Sequence, residues 1–133
     1  MNPADVNRLV FSLLSPALAP VPVVDIPPKG QAFPYVQIGR TIARNADLVT
    51  SLKERRIVYL SIWSDHRGQA ECLELMSKIF DAVHRYSGPL VDGSGAETGR
   101  AVMITVREQT TTPEPDGLTF MGQVVLDILT EHA

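Results

Sequence analysis

The chain has 133 residues, a mass of 14.6 kDa, a formal net charge of −3 and a pI near 5.5. That length suits one domain with one core, and an apolar share of 44% against 20% charged is too high for a disordered chain. The charge balance provides no bulk positive field for nucleic-acid phosphate or anionic lipid, and a single cysteine, Cys72, excludes an intrachain disulfide or a Cys-paired zinc motif.

A helix is predicted first. Asn2 is the expected N-cap, Pro3 suits the first helical position, and Asp5 complements the positive end of the dipole. Val6, Leu9, Val10, Leu13 and Leu14 repeat with helical spacing as one apolar stripe, and Ser15-Pro16 is expected to end it. The stretch has neither the basic start nor the length of a signal peptide, and no apolar run reaches the roughly 18 residues of a membrane span. A soluble protein made in a reducing cytoplasm, without membrane partners, is the expectation.

Pro16, Pro20, Pro22, Pro27, Pro28 and Pro34 crowd the next stretch, yet Leu18, Val21, Val23, Val24 and Ile26 make it too apolar for a solvated linker. It should lie extended against the domain with a short edge strand near residues 23–25, because proline is tolerated where no ladder amide is needed. Period-two alternation then predicts two longer strands. In the first, Val36, Ile38 and Ile42 share a face; in the second, Val58, Leu60 and Ile62 oppose Ile57, Tyr59 and Trp63, so both sides read as buried. Residues 44–56 between them read as a protruding loop or long hairpin tip, polar around Leu48, Val49 and Leu52.

The second helix is predicted from a Ser64 or Asp65 cap to Gly88-Pro89, with Leu73, Met76, Phe80 and Val83 on one stripe and Cys72, Leu75, Ile79 and Tyr86 on another. Glu74 with Lys78, and Asp81 with Arg85, are i,i+4 pairs. A loose Gly-rich loop over residues 92–99 follows. A strand through Val102, Ile104 and Val106 and another through Phe120, Val124, Leu126 and Ile128 flank the Pro115-Asp116-Gly117 turn. The predicted fold class is α+β: a mainly antiparallel four- to five-stranded sheet with a long helix packed on one face and an N-terminal helix, one domain over residues 1–133.

Candidate chemistry is thin. His66 beside Asp65 occupies a strand-to-helix loop, where a general base could sit, but no nucleophile elbow or second histidine at metal spacing accompanies it. Cys72 falls among apolar neighbours and reads as core. The segment 93–99 looks like a phosphate loop but lacks its lysine and opens no helix. No catalytic, cofactor-binding or metal-ligating residue is therefore assigned. Arg55 and Arg56 before Tyr59 and Trp63 are the side-chain types favoured at protein interfaces, or else they pack within the chain.

Three phrases stand in order along the chain: 33–39 (FPYVQIG), 60–71 (LSIWSDHRGQAE) entering the second helix, and 115–122 (PDGLTFMG) opening the last strand. With the N-terminal helix they make the chain resemble the tail completion proteins of tailed bacteriophages, also called tail terminators or tail-to-head joining proteins. The resemblance implies a structural virion protein of the neck region, assembled in the bacterial cytoplasm. It implies a ring, usually a hexamer, that ends the tail tube and receives the head connector while DNA passes through unread and no cofactor is bound. Six copies would carry about −18 in all, which suits DNA that slides without sticking. The loop 44–56 is expected to meet a neighbouring subunit or the tube through Arg44, Asp47, Arg55 and Arg56, with Trp63 as a further contact. Other head–tail neck components, a small-ligand module with a pocket between helix and sheet, and an enzyme built on His66 are the alternatives.

Overall fold

The computed structural model describes residues 3–132, so the expected Asn2 cap lies outside the described residues. The elements in chain order are α1 (Pro3–Leu18), β1 (Val23–Val24), β2 (Tyr35–Asn45), β3 (Lys53–Ser64), α2 (Ala70–Val83), β4 (Gly88–Val91), β5 (Glu97–Pro113) and β6 (Phe120–His132). The strands form one sheet in the order β1-β2-β3-β6-β5-β4. β1 runs parallel to β2 and every other pair is antiparallel.

This overturns the predicted architecture. The sheet has six strands, not four or five; it is mixed and curled into a half-barrel, and its helices, 16 and 14 residues, are both short. The missed strand is β4, because Gly88 and Pro89 were read only as helix terminators. α2 instead ends at Val83, and Gly88 and Pro89 open the β4–β5 hairpin, in which Leu90 is fully buried. The loop expected at 92–99 is a tight turn: the Asp92 carboxylate accepts from the Ser94 and Ala96 amides and the Ser94 hydroxyl, at 2.8, 3.1 and 2.6 Å.

α1 passes through Pro16 to Leu18. Proline there removes one backbone hydrogen bond in the last turns, while Leu14 and Leu18, one turn apart and both fully buried, pin the segment to the core. Asp5 does more than complement the dipole, since its buried carboxylate accepts from Arg8 at 3.1 Å and from Thr98 of β5 at 2.8 Å.

α2 begins later than predicted. Ser64 is the last residue of β3, where its hydroxyl donates to Glu71 at 2.6 Å, and Gln69 caps the helix without a side-chain bond. The buried face is narrower than the expected double stripe: Cys72, Leu75, Met76, Ile79 and Val83 are buried, whereas Leu73 and Phe80 are exposed. The Glu74–Lys78 pair is present at 3.6 Å. Arg85 has a positive φ of 66° and has left the helix, so it is not at the i+4 position opposite Asp81. Gly122 lets α2 approach β6, because a Cβ there would stand 2.9 Å from Met76 Cε.

A bulge between Ile38 and Thr41 changes the phase of β2. Val36 and Ile38 face the helices beside Ile62 and Leu60, but beyond the bulge Ile42 lies opposite Ile57 on the other face. The expected grouping of Ile42 with Val36 and Ile38 fails for that reason. The core joins both helices to one sheet face through Val36, Ile38, Val58, Leu60, Ile62, Ala101, Ile104, Val124, Leu126 and Ile128.

Candidate assembly interface

Of residues 44–56, predicted as loop between the first two long strands, 44–45 and 53–56 are strand. β2 and β3 stay paired from Tyr35–Trp63 to Asn45–Glu54, leaving only residues 46–52 as the tip. The alternation was unreadable here because the end of the hairpin carries no helix on either side, so polar residues suit both faces.

Asp47 builds the tip. Its carboxylate accepts from Asn45 Nδ2 at 2.8 Å and from the Lys53 amide at 2.9 Å, while its own amide donates to Asn45 Oδ1 at 2.9 Å. Leu48 and Ser51 close the turn by backbone bonds. These donors, Asn45 first and the Lys53 amide next, hold the Asp47 carboxyl below its usual 3.8. A depressed carboxyl contributes stability above its unfolded pKa and loses it as pH falls through the folded one. The Lys53 amide resonance is therefore expected to titrate with a midpoint below 3.8 in an NMR pH series, and Asp47→Asn to remove that transition.

The other expected charges are largely used within the chain. Arg55 pairs with Asp127 of β6 at 3.4 Å, and Arg56 is buried against Glu54. Arg44 lies opposite Arg55 and is exposed, with no ion partner among the described residues. Trp63 is not part of this group. It stands eight residues along β3 from Arg55, about 26 Å away at strand rise, half-buried between Tyr35 and Met121 with its indole N–H buried and unbonded.

What the tip presents is apolar. Leu48 is 56%, Val49 107% and Leu52 60% exposed, three adjacent aliphatic side chains on a turn pinned by Asp47. An apolar cluster in water is unfavourable unless a partner covers it, and its rigid turn lowers the ordering cost of docking. Proximity within one turn was the available signal in the sequence.

Among the described residues, neither helix lies on the other sheet face. Ile57 and Val125 are nevertheless buried there, flanked by Tyr59, over which Arg40 stacks at 4.7 Å, and by the Arg55–Asp127 pair.

The remaining candidates sit elsewhere. His66 is exposed in the β3–α2 loop, its amide donating to Ser64 Oγ at 3.1 Å. Ser64 gives its own proton to Glu71, so these residues brace a loop and do not activate a nucleophile. Cys72 is buried near the Phe120 carbonyl, and burial, with the Glu71 charge next, pushes its thiol pKa up. Among the described residues no three His, Cys, Asp or Glu side chains could hold a metal together. No described helix is long and apolar enough to cross a membrane.

Comparison with known proteins agrees with this non-catalytic surface. No curated protein matches the chain. In overall fold it is similar to a chain from the virion of a native gene transfer agent particle, with a TM-score of 0.71 at 17% identity, covering 92% of this chain and 91% of that one. The model of the tail completion protein gp17 family matches residues 10–131, nearly the whole sequence. The chain belongs to that family, and it is a structural tail protein of a phage or phage-like virion, not an enzyme.

Proposed function

We propose that the protein forms a ring, a hexamer, that ends the tail tube and joins it to the head connector, with DNA passing through the hole without sequence-specific contact. Its place is the neck of the virion, after assembly in the host cytoplasm. The observation that carries this reading is the surface. A chain of a tail completion family exposes a rigid apolar tip at one end of its sheet, and neither described helix packs on the opposite sheet face.

The elongated hairpin sets the roles. Its tip meets the next protein along the tail axis, the tube, through Leu48, Val49 and Leu52, while Arg44 supplies charge beside it. Arg55, Arg56 and Asp47 act indirectly: Arg55 holds the hairpin to β6, Arg56 is taken up by Glu54 of the same strand, and Asp47 shapes the turn. Trp63, distant along β3, belongs to a different contact on the open face.

Native mass measurement of the purified protein, followed by electron microscopy, tests the ring. The expected result is one closed multimer with a central hole. A chain that remains monomeric at every concentration, alone and with tube protein, contradicts the reading.

A further inference from the structure

Both lateral margins of the sheet are half covered, and the uncovered halves match. At the β2 margin, β1 pairs only with Val36 and Gln37, leaving residues 38–45 without a strand beside them. At the β5 margin, β4 covers residues 97–101, and the backbone of Arg85 and Tyr86 bonds to Ile104. His84 Nδ1 accepts the Val106 amide at 3.1 Å, and residues 107–113 then run free. The two open stretches are eight and seven residues long, and each holds one bulge, between Ile38 and Thr41 in β2 and between Val106 and Glu108 in β5. Unpaired strand margins of this length are templates for pairing with another chain.

We propose that subunits of the ring join margin to margin, the open part of β2 in one copy adding to the open part of β5 in the next. This rests on the ring reading above and names its lateral contact. Three independent features select a second copy as the occupant. First, direction: β2, β3, β6 and β5 are successively antiparallel, so β2 and β5 run in opposite senses. In a cyclic ring all copies point the same way, so β5 of one copy and β2 of the next meet antiparallel and the alternation continues unbroken.

Second, register. The row through Tyr59 and Val125 reaches Glu108 at one margin, whereas Arg44 at the other lies in the row of Arg55, four residues along β3. Sliding one copy by those four residues brings the two open stretches side by side over their whole length, with inward and outward faces matched. β1 and β4 then fall beyond the two ends of the seam and do not collide. Four residues of stagger across four strands is one per strand, the ratio of an eight-stranded barrel of shear eight, whose strands tilt by about 36°.

Third, charge. At that register Arg44 stands beside Glu108, neither of which has an ion partner among the described residues of its own chain, and Ile42 stands beside Thr110. Opposite charges at a cross-strand pair favour this register over its neighbours.

The test combines native mass measurement with paired cysteines. In a Cys72→Ala background, Ile42→Cys with Thr110→Cys is expected to give, on mild oxidation, a ladder of covalent multimers ending at the ring size, while either cysteine alone gives at most dimers. In the otherwise unmodified chain, Arg44→Glu is expected to raise the concentration for half-assembly at least tenfold, and added Glu108→Arg to restore it. A wild-type ring that yields no ladder and ignores both charge changes overturns this contact and leaves the ring standing. A wild-type chain that never assembles overturns the ring reading, and this contact with it.

Discussion

Leu48→Asp combined with Val49→Asp is expected to leave the fold and the proposed ring intact while abolishing the proposed attachment to the tail tube. Both side chains are exposed, so the substitutions remove no core contact and should change stability by less than about 0.5 kcal/mol. Docking against an apolar partner would instead bury two carboxylates, and an unpaired buried charge costs several kcal/mol. Each 1.4 kcal/mol is tenfold in affinity, so a loss of at least about a hundredfold is expected. Co-sedimentation of the variant with purified tubes reads it out, with a thermal melt as control for folding. Undiminished tube binding would remove the tip from the interface and return attention to the open sheet face.

The second large effect concerns the core. Leu60→Ala should destabilise the monomer by about 3 kcal/mol, within the 2–5 kcal/mol usual for deleting a buried leucine side chain. Leu60 is fully buried on β3, between β2 and β6 and under the helices, where the close strands leave little freedom to collapse into the cavity. A fall in melting temperature of roughly 10 °C is the corresponding readout. Leu118→Ala, at a residue 74% exposed in the turn built by Asp116, serves as the contrast and should shift stability by no more than about 0.5 kcal/mol. Equal losses at the two sites would mean that the helix-side face is not the stability core.

The elements whose side chains meet a packed partner on one side were legible before any fold was known. Val6, Leu9, Val10 and Leu14 of the α1 stripe, and the alternation of Val58, Leu60 and Ile62 and of Val124, Leu126 and Ile128, appear in the buried set, with Leu13 partly buried against it. Burial on one face imposes a period, and a period can be read. The hairpin beyond Ala43 and the free half of β5 face solvent or await a partner on both sides, so no period marks them and they read as loop. β4 is only four residues long and opens with Gly88-Pro89, residues that also stop helices. The bulge at Gly39–Arg40 leaves composition unchanged while turning Ile42 to the opposite face, which alternation alone cannot foresee.

The interface charges show the same division. Arg55 and Arg56 have the residue types of an assembly surface, but Asp127 and Glu54, 72 positions away and two positions away respectively, already hold them. Only pairing across β3 and β6 could reveal the first of these partners.

By itself, the sequence determined which faces of α1, β3 and β6 turn to the core, and it carries, in order, phrases that resemble those of a tail completion protein. Those properties follow from residue types and local spacing. The tertiary structure alone decided which of the hairpin arginines lacks an ion partner among the described residues, that Leu48, Val49 and Leu52 form a projecting apolar tip, and which strand margins stay open. Each of these depends on what lies beside a residue across the sheet, where strands distant in the chain, such as β3 and β6, meet.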